Sequence, residues 1–149
     1  MGYDYFEDYV PGDRIESDTF TLEKDELVAF AARYDPQYFH IDEEAAKEGP
    51  FGKLIASGWQ TAAIAMRLCV LSGYLPKRGG IGAGVDELRW LAPVFAGDML
   101  RGRFEVLEAV PSNKQPRGRI RTRIEIYNQD DVLVMTFITN AVVARRPTR

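Results

Sequence analysis

From Trp59 to Leu71 the chain carries almost no polar side chains; Gln60, Thr61 and Arg67 are nearly the only ones. A helix apolar almost all round belongs inside a core rather than on a surface. The segment falls short of the ~20 apolar residues that a membrane span needs. Just ahead of it, Ser57-Gly58-Trp59-Gln60 has the S-x-x-Q form of a capping box, which places the helix start. A chain of 149 residues with such a helix has to wrap the rest of itself around it. That length suits a single domain, 1–149, and is too short for two ordinary ones. No repeat, low-complexity tract or linker divides it.

The wrapping comes from strands. Gly82–Leu91, Asp98–Val110, Arg119–Tyr127 and Val132–Ala144 all read as strands. The third alternates Ile120, Thr122, Ile124 and Ile126 on one face with Arg119, Arg121, Arg123 and Glu125 on the other. The fourth is apolar on both faces, as for a strand covered on both sides, and Asn128 to Asp131 reads as the hairpin turn before it. Upstream, Arg14–Phe20 reads as a short strand and Leu22–Tyr34 as a helix with Thr21 as its N-cap. Pro36 ends that helix, because the residue before a proline is pushed out of the α region. A second short helix is expected over Asp42–Lys47. The order is strand, helices, buried helix, then strands joined by turns. It predicts an α+β domain in which an antiparallel sheet wraps a long buried central helix.

A formal net charge of −3 argues against non-specific nucleic-acid binding, which needs a basic surface. One cysteine, Cys69, excludes an internal disulfide and a Cys cluster for metal. One histidine, His40, excludes chemistry that needs two per subunit, including most catalytic zinc sites. The start, MGYDYFEDYV, lacks the basic end and apolar core of a signal peptide. A reducing, cytoplasmic setting is expected, with no membrane association.

Asp35 precedes His40 by five residues, with Pro36 between them. On a continuous helix they would point ~140° apart. With the helix broken they are expected on a compact loop, able to converge on one water and to share the acid and base work of a hydration. The spacing alone equally admits an Asp35 that closes the loop and a His40 that is a hydrogen-bonded core histidine. Gly58 offers a third element. If Ser57 caps through the Gln60 amide, the amides of Gly58 and Trp59 stay unpaired at the positive end of a helix, where they can hold a developing enolate oxygen. Without a side chain, Gly58 would let a thioester carbonyl approach the backbone. It can also be a glycine merely tolerated at a helix start.

Together, Asp35-x4-His40, Ser57-Gly58 heading a buried helix, and Leu91-Ala92-Pro93-Val94-Phe95-Ala96-Gly97-Asp98 resemble the MaoC-like (R)-specific enoyl-CoA hydratase family, from about Gly12 to Ala144. The resemblance implies a hot-dog fold and a homodimer or higher homo-oligomer with sheets paired edge to edge. It also implies an acyl-CoA substrate bound near the subunit interface, and hydration of an enoyl thioester to the (R)-3-hydroxyacyl product or the reverse. On matching positions it makes Asp35 and His40 the catalytic pair and the Gly58 amide the oxyanion donor. No metal and no resident cofactor are expected, CoA being part of the substrate. The chain departs from the family's D-x-N-P-x-H pattern at Gln37 and Tyr38. It also has Met66 where some relatives place a serine near the aspartate. Gln37 keeps an amide; Met66 cannot replace a hydroxyl.

Two other readings fit the same scaffold: a thioesterase, and a non-catalytic acyl-thioester binding subunit. Arg67 is expected to meet an internal acid. The stretch from Lys114 to Arg123 reads as a solvated strand face and loop, Trp59 and Trp90 as core and interface packing, and Cys69 as inert core.

Overall fold

The apolar helix, α4, runs Gly58–Leu71 and begins one residue before the expected start. The computed structural model describes residues 2–148. Before α4 come strands β1 (Arg14–Glu16) and β2 (Phe20–Thr21), then helices α1 (Lys24–Tyr34), α2 (Tyr38–Ile41) and α3 (Glu43–Ala46). After it come β3 (Ile81–Trp90), β4 (Met99–Pro111), β5 (Arg117–Tyr127) and β6 (Leu133–Ala144). The six strands form one antiparallel sheet ordered β1-β4-β5-β6-β3, with β2 also on β4. This is the α+β architecture expected from the sequence, with the long strands within two residues of their predicted bounds.

The alternation on β5 sets the inner face. Ile120, Thr122, Ile124 and Ile126 are all buried, whereas Arg121 turns outward to Asp86 on β3 at 2.7 Å. Opposite them, Leu68, Ala65 and Ile64 of α4 fill the sheet's concave side together with Phe104 and Val106 of β4. The N-terminal segment closes one end of this core. Phe6 lies so tightly on Gly118 of β5 that a Cβ there would sit 2.2 Å from its Cδ2.

Several expectations are corrected. The strand foreseen over Arg14–Phe20 is split into two by Ser17–Thr19. Thr21 does not cap α1; it belongs to β2, and Leu22 stays extended, exchanging backbone bonds with Asp98 O and Gly97 N. The cap position is Glu23, with no side-chain cap bond. The short helix expected over Asp42–Lys47 is present as α3, with Asp42 capping it through the Ala45 amide, whereas the one-turn α2 ahead of it is not marked in the sequence.

α4 is not buried all round in the single chain. Trp59, Met66, Val70 and Leu71 are exposed, while the polar Gln60 and Thr61 are buried. Period-3.6 reasoning fails here because nearly every position is apolar and so no face is marked. Arg67 meets no carboxylate among the described residues; its guanidinium lies 5.9 Å from the Phe20 ring centroid.

Candidate active site

The start of α4 is pinned from two sides. Ile55 N–H donates to Phe39 O at 3.0 Å, and Ala56 N–H to Val94 O at 2.8 Å. The first bond ties the strand-like run before the helix to α2. The second ties it to the loop that follows β3, the Leu91–Asp98 stretch. Asp98 itself works at the far end of that loop, accepting from Phe95 N–H at 2.9 Å and from the Gln129 side chain at 3.1 Å. The motif is thus a turn that holds the wall of the site.

Asp35 is the C-cap of α1, its amide still bonded to Ala31 O, with backbone angles φ −152 and ψ 67. His40 lies in the helical turn α2 rather than on the compact loop expected. The rearrangement still brings the pair together, with His40 Nε2 3.2 Å from Asp35 Oδ2. The other ring nitrogen, Nδ1, is 2.6 Å from Ile55 O. A carbonyl only accepts, so Nδ1 carries a proton and Nε2 is the atom free to gain or lose one. His40 is buried, at 5% exposure, and held edge-on by Phe39 with ring centroids 4.6 Å apart.

Asp35 is the hub. Gln37 Nε2 donates to Oδ1 at 2.7 Å, and Ser57 Oγ donates to Oδ2 at 2.7 Å. Burial alone would raise the carboxyl's pKa. The donors Gln37 and Ser57, and then the His40 ring, outweigh it and hold the pKa below its ordinary value. The pair therefore combines a well-held carboxylate with an imidazole whose outward nitrogen is available.

The sequence marks Ser57 only as a helix cap and misses its contact with Asp35. No local pattern signals that bond, because the two residues lie 22 apart in sequence. Its capping also differs from the box expected. Ser57 Oγ accepts from Trp59 N–H at 3.3 Å, not from Gln60, and Gln60 Nε2 goes instead to Glu26 O. The Trp59 amide is therefore occupied. The Gly58 amide alone keeps no acceptor among the described residues.

Gly58 also stands differently from the expectation. A Cβ on it would lie 2.4 Å from Trp90 Cε2, and Trp90 Nε1 donates to Gly58 O at 2.8 Å. The space left by the missing side chain is filled by an indole, so glycine is required here for Trp90. Trp59 meets Trp90 edge to face with centroids 5.0 Å apart. Both tryptophans are about half exposed rather than core.

Asp35, His40 and Gly58 all line one cleft of about 460 Å³, walled by Trp59, Trp90 and Pro93. A second, almost wholly apolar cavity of about 350 Å³ lies between α4, β3 and the inner face of the sheet, and Trp59 borders both. Met66 and Cys69 line this second cavity. Burial pushes the Cys69 thiol up to about 12, which fits an inert core thiol. Chemically, the first cleft can hold a small polar reactant between an imidazole nitrogen, a carboxylate and a helix-start amide, with an apolar channel beside it.

Residues 8–127 match the family described as MaoC like domain. The crystal structure of a MaoC-like dehydratase from Rhodospirillum rubrum is 43% identical and superposes with a TM-score of 0.90, covering 97% of this chain and 99% of that one. The R-hydratase PhaJ1 from Pseudomonas aeruginosa, in its unliganded form, is 27% identical with a TM-score of 0.80, covering 95% and 86%. In sequence, 3-hydroxyacyl-thioester dehydratase Z of Mycobacterium tuberculosis is 37% identical over 115 residues, covering 74% of this chain and 76% of that protein.

Proposed function

The chain belongs to the MaoC-like domain family, with its hot-dog fold, and from that premise we propose that it adds water to an enoyl thioester, or removes it from the 3-hydroxyacyl counterpart. Its relatives include proteins named as dehydratases and an R-hydratase, which supports the reaction kind. The finer reading is a CoA ester and (R) stereochemistry. The observation that carries the hydro-lyase reading is the convergence of His40 Nε2 and Asp35 Oδ2, 3.2 Å apart, in the cleft that Gly58 also lines.

In the hydration direction a water sits between the imidazole and the carboxylate. Its oxygen bonds to the β-carbon while one of its protons passes to His40 Nε2. The π electrons of the enoyl group shift to the thioester oxygen, where the Gly58 N–H donates to the developing enolate. The proton on Nε2 then passes to the α-carbon, and the imidazole returns to neutral. Asp35 stays ionised throughout, orienting the water and balancing the transient imidazolium, a role that fits its lowered pKa. No resident cofactor is called for, because the thioester itself acidifies the α-carbon. The acyl chain runs past Trp59 into the apolar cavity.

The proposal includes a second copy of the chain. Among the described residues β3 pairs only with β6, leaving its other edge without a strand partner. Ile81, Val85, Trp90 and Leu91 on and beside it are exposed, as are Trp59, Met66 and Val70 of α4. A second copy laid along this edge would cover them. Among the described residues no helix is long and apolar enough to cross a membrane. A cytoplasmic setting goes with this reading, in keeping with the free thiol of Cys69.

The test is hydration of crotonyl-CoA followed by loss of enoyl absorbance. Asp35→Asn and His40→Gln are each expected to lower kcat by about 10²–10⁴-fold, and chiral analysis to give the (R) product. Undiminished turnover in folded variants would remove the mechanism.

A further inference from the structure

The apolar cavity has one polar patch. On the inner face of the sheet Thr122 of β5 stands directly across from Thr139 of β6. In such a pair the Cβ atoms are ~4.5–5.5 Å apart. Both residues line the cavity, and so does Tyr74. Tyr74 Oη and Thr122 Oγ1 lie 2.5 Å apart and share one hydrogen bond. Between them they own two hydroxyl protons, so whichever donates, one proton is left over. Thr139 Oγ1 has no hydrogen-bond partner among the described residues, and Thr139, only partly buried, lines the cavity. The neighbouring polar groups are already used. Tyr9 Oη donates to Tyr74 O, and Asn140 is bonded to Arg121, Gly84 and Asp86.

Two unspent hydroxyls therefore face a space otherwise walled by Met66, Leu88, Ile124 and similar side chains. A plain alkyl chain laid there would bury both without partners, which is unfavourable for each such group. An oxygen on the chain would satisfy them. The patch is also remote from the reacting carbons. Val134 of β6 lines the reactive cleft and Thr139 lies five residues further along the same strand, ~17 Å away at the usual rise.

We propose that the cavity is a subsite for acyl thioesters that carry a hydroxyl or keto oxygen in the distal part of the chain, held by Thr139 and the Thr122–Tyr74 pair. This rests on the hydro-lyase reading for the direction in which the chain enters. It goes beyond that reading in naming the substrate class.

The experiment uses two trans-enoyl-CoA esters of equal chain length, one plain and one with a single hydroxyl or keto group in its distal half. kcat/KM is measured for both with the full chain and with Thr122→Val and Thr139→Val, which keep shape and lose the hydroxyl. Dissociation constants of the matching saturated acyl-CoA pair are measured in parallel by calorimetry, with thermal unfolding as the check on folding. The expected result is a preference of about tenfold or more for the oxygenated chain, falling to near parity in either valine variant. Equal or better use of the plain chain by the unmodified protein overturns the proposal, as does a preference that survives both substitutions. If neither ester is hydrated the hydro-lyase reading fails. The calorimetric pair then decides the subsite alone: tighter binding of the oxygenated chain, lost in Thr139→Val, upholds it, and equal binding removes it.

Discussion

Ser57→Ala is the most informative single change, because one hydroxyl links the helix start to the carboxylate. Ser57 Oγ donates to Asp35 Oδ2 at 2.7 Å and accepts from Trp59 N–H at 3.3 Å, and the residue is fully buried. A hydrogen bond to an ionised group contributes about 1.5–3 kcal/mol. The cap bond is long, so the low end of the range for an N-cap, ~0.5 kcal/mol, applies. The variant should therefore lose about 2–3.5 kcal/mol at neutral pH. Its pH dependence has a definite sign. Asp35 has a folded pKa below its ordinary value. Its contribution is thus present above the unfolded carboxyl's pKa and disappears as pH falls through the depressed folded value. The stability difference between the unmodified protein and the Ser57→Ala variant should shrink on acidification toward the ~0.5 kcal/mol of the cap alone. Urea unfolding at fixed protein concentration, at neutral and at acidic pH, measures it. The same loss should carry the acid limb of the kcat/KM profile to higher pH, since one of the donors lowering Asp35 is gone. A stability difference that is constant across pH, or an acid limb that does not move, would refute the role given to Ser57.

Further outcomes follow from packing and burial. Gly58→Ala puts a Cβ 2.4 Å from Trp90 Cε2, so it should displace the indole, shift tryptophan fluorescence and destabilise by about 1–3 kcal/mol; a Trp90→Ala background should relieve most of that stability loss. Gly118→Ala faces Phe6 Cδ2 at 2.2 Å and should cost about 1–3 kcal/mol in urea unfolding without changing the enzyme's pH profile. Cys69, buried and with its thiol pushed up to about 12, should resist iodoacetamide at neutral pH until the protein unfolds; rapid labelling of the folded protein would contradict its burial.

The fold is legible where periodicity is strong and local. The Ile120-Thr122-Ile124-Ile126 alternation identifies β5 and its inward face, and Asn128–Asp131 marks the hairpin, where Asp131 takes a positive φ of 59. Local chemistry misleads at Thr21, whose capping character loses to sheet pairing with Met99 on β4. The exposure of Trp59, Met66 and Val70 is invisible because a nearly all-apolar run does not say which side faces the core. Within the site, Asp35 and His40 stand out through a proline break and a lone histidine. The Ser57–Asp35 bond and the Trp90 indole against Gly58 join residues 22 and 32 apart. Such contacts are created by the pinning of Ile55 and Ala56 between α2 and the Leu91–Asp98 loop. The roles of Gln37 and Thr122 are half visible. Each is a polar residue in a suggestive place, and only the folded chain gives it a partner.

The central claim is that the lone imidazole and the neighbouring carboxylate act on one water as a unit. It is tested most directly by a double-mutant cycle on the rate of crotonyl-CoA hydration, using Asp35→Asn, His40→Gln and the combination. Groups that share one step are strongly non-additive, so the double variant should be no slower than the more damaged single one. Losses that multiply, each substitution cutting the rate by the same factor whether or not the other is present, would mean that the two side chains work separately and would contradict the account.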